Sequence, residues 1–230
     1  RSAGCAINDV ADRGFDGFVD RTKHRPLVTG EISVNEALLL CAVLFACAFF
    51  LVLQLNAYAI LLSVVGFLLA VIYPFLKRVT DLPQLWLGVA FAWGIPMAFA
   101  AADSTIPWIG WWLFATTLLW IVAYDAMYAM ADRKDDVIIG VKSIAILMGQ
   151  KDVVLIVLLQ CIVLLQFIAL GVILQFNAVF FLAVIVAATL VAYQYRLIKD
   201  RQPTGCFHAF LNNHWFGMVM CVGFVSQKLI

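Results

Sequence analysis

The sequence predicts an all-α fold, a multi-span transmembrane helical bundle with about seven full spans and one part-span. Three observations carry this. The 230-residue chain is 65% hydrophobic and only 13% charged, where a soluble domain carries about a quarter charged residues. Its mean hydropathy is +1.01. Apolar runs near the length that crosses a bilayer as a helix recur from end to end.

The elements follow in order. The fragment 1–11 is apolar but too short to cross, so the first helix is expected to be partial. Runs at 34–54 and 57–76 are divided by QLN, ending at Asn56. Runs at 84–102 and 107–131 are divided by ADSTIP, and runs at 152–173 and 177–197 by LQFN. The last run is 207–228. Apart from Arg1 and Lys228, the cations fall in alternate connectors: Arg13, Arg21, Lys23 and Arg25; Lys77 and Arg78; Arg133, Lys134, Lys142 and Lys151; Arg196, Lys199 and Arg201. The connectors between them carry none. This positive-inside pattern puts the four basic connectors on the cytoplasmic face. The short bare connectors make their flanking helices antiparallel neighbours. The basic connectors after the first and fifth runs are longer, about 20 residues each, and long loops in compact proteins are usually functional. No linker or low-complexity segment interrupts the chain, so residues 1–230 are expected to form one domain.

Six cysteines (Cys5, Cys41, Cys47, Cys161, Cys206 and Cys221) show neither metal-ligand spacing nor a disulfide framework. His24, His208 and His214 show no metal spacing and read as polar contacts near helix ends. Asn212 and Asn213, polar inside the last run, are expected to face the bundle interior. The large partner is the lipid bilayer and not nucleic acid.

Both long basic connectors begin with acidic clusters, NDVADRGFD at 8–16 and YDAMYAMADRKDD at 124–136. If each continues its helix, Asn8, Asp12 and Asp16 stand at i, i+4, i+8, and Asp125, Asp132 and Asp136 at i, i+7, i+11. Each set then forms one stripe, drifting only about 20–40° per step. Asp135 lies about 100° off the second stripe. Carboxylates at the membrane zone are costly and point to function. Carboxylate oxygens suit Mg2+ shared with substrate phosphates, and neighbouring Arg and Lys suit the remaining phosphate oxygens. The residues thus point to a lipid-tailed diphosphate held through Mg2+ at the mouth of an apolar cavity.

Four stretches, NDVADRGFDGFVDRTKHRPL, YPFLKRVTDLPQLWLG, FAWGIPMAF and AYDAMYAMADRKDDVIIGVKSIAILMG, resemble the UbiA-type intramembrane prenyltransferases, in particular the subgroup whose acceptor is 4-hydroxybenzoate in ubiquinone biosynthesis. The resemblance implies nine transmembrane helices, of which this chain lacks the first and part of the second. It implies transfer of a polyprenyl group from a polyprenyl diphosphate to the ring, ortho to the hydroxyl, in a bacterial inner membrane with the site opening to the cytoplasm. It implies Asn8, Asp12, Asp16, Asp125, Asp132 and Asp136 as Mg2+–diphosphate ligands, with Asp9 beside them. Tyr73 and Lys77 match the family's YxxxK element. Arg78 is the candidate for the acceptor carboxylate, since Arg pairs with carboxylates bidentately. Arg21 and Arg25 are candidates for diphosphate binding or loop closure, and Lys142 is a further binding candidate. Trp93 and Trp120 are candidates for lining the prenyl tunnel. Another acceptor (homogentisate, dihydroxynaphthoate or haem) and an inactive truncated scaffold are the nearest alternatives. A cation transporter is the alternative from another class, but it would place carboxylates at the bilayer midplane, away from Lys and Arg.

Overall fold

The computed structural model describes residues 2–18, 22–76 and 79–228. Among the described residues every regular element is helical. The helices are α1 Ser2–Asp16, α2 Pro26–Thr29, α3 Val34–Val52, α4 Ala57–Leu76, α5 Pro83–Ala92, α6 Gly94–Asp103, α7 Trp108–Ile139, α8 Ile144–Met148, α9 Asp152–Ile173, α10 Ala178–Ile198 and α11 Pro203–Val225. Short 3-10 turns follow at Gly149–Lys151 and Ser226–Lys228.

Local chemistry sets the boundaries. Ser33 and Glu36 form a reciprocal capping box that starts α3. Asn56 pins the connector before α4: its Oδ1 accepts from the Ala59 backbone at 2.9 Å, and its Nδ2 donates to the Ala100 carbonyl at 2.6 Å. Asn177 caps α10 by accepting from the Phe180 N–H. Pro26, Pro83 and Pro203 open α2, α5 and α11, where the missing N–H costs nothing. Gly140 ends α7 at φ 74, a left-handed conformation that glycine adopts without steric cost.

The chain forms two compact units. The first comprises residues 1–114 and 135–142. In it α1 packs on α3 and α4, and α4 packs on α5 and α6. The second comprises residues 115–134 and 143–230. There α10 lies against α9 and α11, and α8 leans on α9. This unit's interior is mainly apolar but is crossed by a few polar contacts between helices. Gln160 donates to Gln194, and Gln194 donates to Asn212 at 3.0 Å. The Trp120 indole donates to Asn213 at 2.9 Å. Gln160, Gln194 and Asn213 are buried. Side-chain amides bonded across helices are a common adhesive in lipid, where burial of apolar surface gives little net attraction between helices.

Six segments among the described residues are long and apolar enough to cross a membrane: Val34–Val52, Ala57–Leu76, Pro83–Asp103, Trp108–Ile139, Ile144–Ile173 and Ala178–Ile198. They follow the predicted spans with three adjustments. The run expected at 84–102 is broken at Trp93 into α5 and α6, because Pro96 has no N–H to give the carbonyl four residues back. The connector expected after 131 is mostly helix, since its Asp, Arg and Lys residues are compatible with helix and α7 continues to Ile139. The last expected span is α11, long enough to cross, but His208, Asn212, Asn213 and His214 lower its hydropathy. His214 sits in mid-helix rather than near an end, with its ring Nδ1 facing the Leu211 carbonyl.

Gly205, in the first turn of α11, lets that helix pack closely on the end of α10. A Cβ there would stand 2.5 Å from the Leu197 carbonyl oxygen, a backbone atom that cannot swing aside. Gly205→Ala should therefore destabilise the protein by about 1–3 kcal/mol, the usual cost of overpacking. Thermal unfolding in detergent should show a lower midpoint; an unchanged midpoint would mean the turn relaxes freely.

Candidate active site

The first acidic stripe lies on α1, which runs unbroken to Asp16. Asp12 is 3% exposed and Asp16 7%, while Asn8 and Asp9 are half-buried. The chain then folds back on itself. The Thr22 hydroxyl donates to the Asp16 carbonyl at 2.9 Å. Arg25 donates through one Nη1 to Asp9 Oδ1 at 2.7 Å and to Asp16 Oδ2 at 2.8 Å. One guanidinium thus bridges two carboxylates of α1 that are seven residues apart. The pairing ties the segment carrying Arg25 to α1.

The second stripe lies on α7. Asp125, Asp132 and Asp136 are half-buried; the first two belong to the second unit and Asp136 to the first. The condition for a stripe, that helix continues through the acidic run, holds at both places. Tyr73 is half-buried near the end of α4. Arg21, Lys77 and Arg78 lie outside the described residues. Lys142 sits just past α7 with its ammonium 3.3 Å from Asp81 Oδ1 and 3.3 Å from the Val79 carbonyl. The Trp93 indole donates to the Leu62 carbonyl at 2.9 Å.

The sequence reading missed a second buried charge cluster. Asp152, at the head of α9, is 2% exposed. Arg133 and Arg201 both pair with it. Removing one member of such a buried cluster typically costs about 3–5 kcal/mol, because a charge is left uncompensated. The available signal was a lone carboxylate opening a long apolar run.

The donors suit magnesium in kind, being hard oxygens from Asn and Asp. Among the described residues no three His, Cys, Asp or Glu side chains gather as a cage for a metal ion. Mg2+ commonly uses only one or two carboxylates, completing its shell with water and substrate phosphate. The residues present therefore fit an ion that is shared with a diphosphate.

The profile of the UbiA prenyltransferase family matches residues 1–217. The chain belongs to the UbiA prenyltransferase family. It is 54% identical over 223 residues to a 4-hydroxybenzoate octaprenyltransferase of Coxiella burnetii, covering 97% of this chain and 78% of that protein. It is 49% identical over 230 residues to a 4-hydroxybenzoate octaprenyltransferase of Shewanella baltica, covering 100% and 80%. Among solved structures, the apo form of a UbiA homolog from Aeropyrum pernix K1 superposes with a TM-score of 0.85 at 26% identity, covering 99% of this chain and 85% of that one. A UbiA homolog from Archaeoglobus fulgidus bound to GPP and Mg2+ has the same fold, with a TM-score of 0.66 at 20% identity, covering 98% and 83%.

The UbiA-family stripe on α1 thus carries an internal counter-cation whose loss has a measurable consequence. Charge-assisted bonds contribute about 1.5–3 kcal/mol each, so Arg25→Gln should loosen the segment after α1 about tenfold or more. Trypsin cleavage after Lys23 should accelerate accordingly in the folded protein. A wild-type cleavage rate would show that the bridge does not hold this segment.

Proposed function

We propose that the chain acts as a single prenyltransferase domain that moves a polyprenyl group from a polyprenyl diphosphate to the ring carbon of 4-hydroxybenzoate ortho to the hydroxyl. The observation that carries this reading is the pair of Asp stripes on the continuous helices α1 and α7, in a chain about half identical to 4-hydroxybenzoate octaprenyltransferases along nearly its whole length. The positive-inside pattern supports a site opening to the cytoplasm, in a bacterial inner membrane.

In this reading Asn8, Asp12 and Asp16 on α1, and Asp125, Asp132 and Asp136 on α7, are the residues that would hold Mg2+ and, through it, the diphosphate. The magnesium-bound homolog from Archaeoglobus fulgidus supports the choice of metal. When bound, the ion neutralises charge on the leaving group. Arg21, Arg25 and Lys142 are assigned to the diphosphate and to closing the segment over it. Tyr73 and Lys77, four residues apart in the sequence, are assigned to the same charge as a phenol and an ammonium. Preorganised donors of this kind act where charge develops. The allylic C–O bond breaks as charge passes to the diphosphate. The ring carbon ortho to the hydroxyl forms the new C–C bond. The displaced ring proton goes to a carboxylate or to the diphosphate. Apolar helices exclude water that would otherwise trap the prenyl cation as an alcohol.

The direct test incubates membranes containing the chain with labelled 4-hydroxybenzoate, a polyprenyl diphosphate and Mg2+. Prenylated 4-hydroxybenzoate is the expected product. Asp12→Asn and Asp132→Asn should each lower turnover by at least about a hundredfold, with the protein still inserted and folded. Near-normal turnover in both would exclude the metal role of the stripes.

Arg78 is assigned to the acceptor carboxylate. Loss of such a charge-assisted pair costs about 1.5–3 kcal/mol. Arg78→Ala should therefore raise the KM for 4-hydroxybenzoate roughly ten- to a hundredfold and leave the KM for prenyl diphosphate little changed. Arg78→Lys should restore only part, lacking the planar fork. A rise confined to the prenyl diphosphate KM would move Arg78 to the diphosphate site.

A further inference from the structure

We propose that Arg133, Asp152 and Arg201 are positioning residues: together they fix the rotation of α7 and so aim Asp132 and Asp125. The proposal rests on the metal role assigned above to those aspartates.

All three residues, with the hydrogen-bond partners named below, lie in the second unit. Asp152 is 2% exposed, and both of its carboxylate oxygens are engaged. Arg133 pairs with Oδ2. Arg201 Nε donates to Oδ1 at 3.0 Å, and the Val153 N–H donates to the same oxygen at 2.6 Å. The guanidinium groups also grip the strap leading into α9. Arg133 Nη2 donates to the Ala145 carbonyl at 2.6 Å and reaches the Gly149 carbonyl at 3.4 Å. Arg201 Nη2 donates to the Gln150 carbonyl at 2.7 Å. Arg201 itself has φ 52, a left-handed backbone that L residues rarely adopt.

Two cations on one buried anion exceed what charge balance requires. Buried ion clusters are poor sources of net stability, and their best-attested use is to fix register. Here the fixed element is identifiable. Arg133 follows Asp132 directly, so whatever holds Arg133 holds the helix at the residue beside the carboxylate. A side chain stands about 5–6 Å from a helix axis, so a turn of only about 10° shifts a carboxylate by about 1 Å. Displacements of about 1 Å are enough to matter in a catalytic site. The same rotation carries Asp125. Residues that orient metal ligands typically change metal affinity by about 10–100-fold when removed.

The test measures metal binding without turnover. The full chain in nanodiscs is titrated with Mn2+, followed by electron paramagnetic resonance, in the presence of an unreactive prenyl thiolodiphosphate. Asp152→Asn and Arg201→Gln should weaken Mn2+ binding about tenfold. Arg201→Lys keeps the charge and folds under milder stress; it should weaken binding by a smaller factor. With Asp125→Asn and Asp132→Asn already present, Arg201→Gln should have no further effect on the remaining Mn2+ binding. If the folded variants show a lower unfolding temperature and wild-type Mn2+ affinity, the cluster is structural only and the proposal is overturned. A further loss on that background overturns it as well. A wild type that binds no Mn2+ overturns the proposal together with the metal role of the stripes. A wild type that fails to prenylate 4-hydroxybenzoate while the Mn2+ shifts persist overturns the acceptor assignment alone.

Discussion

A carboxylate carried into an apolar helix bundle must be neutralised where it stands, because desolvating an isolated charge costs far more than packing can return. Much of this protein's irregular structure answers that constraint. Asp16 draws Arg25 back across α1, and the fold-back of the segment after α1 follows from that pairing. Asp152 draws two guanidinium groups, one from α7 and one from the turn before α11. The short helices and turns at these places look accidental in sequence. Each is the path by which a cation reaches its anion.

The same constraint acts on uncharged groups. Gln160, Gln194 and Asn212 hand hydrogen bonds from α9 to α10 to α11. In water such amides would weaken an interior; in lipid they bind helices that have little hydrophobic reason to associate. The second unit thus adds polar contacts between helices to an apolar interior and faces outward with Leu, Val and Ile.

Most of the helices were legible in the sequence, because span length and charge alternation are imposed by the bilayer and need no knowledge of packing. The stripes were legible for a related reason: spacing alone places Asp12 with Asp16 and Asp125 with Asp132 once helix continues through them. What spacing cannot show is which distant residue a side chain meets. Arg133 and Arg201 read as charges of basic connectors, but Arg133 lies within α7 and nothing local says that both turn inward to Asp152. Arg25 was recognised as important, and its two partners on α1 were not. The break at Trp93 was written in Pro96, whose missing N–H weakens a helix without saying whether the fold will bend there. Continuation of α7 to Ile139 was hidden because charged residues signal a loop only where they meet helix breakers, and Gly140 comes first.

The length of α7 is also a ruler. At about 1.5 Å per residue its 32 residues reach about 48 Å, against about 30 Å for the hydrocarbon layer. Counted from Trp108, Asp125 lies about 26 Å along the helix and Asp132 about 36 Å. If the hydrocarbon layer begins at Trp108, its far boundary falls between them. With the diphosphate held at this stripe, as proposed above, such a helix would fix a depth and confine bond breaking to the thin plane where oil gives way to headgroups. An isoprenoid tail of any length stays dissolved below that plane, and a water-borne acid reaches it from above. A longer or shorter tail then changes how far the substrate extends into the bilayer without moving the reacting carbon.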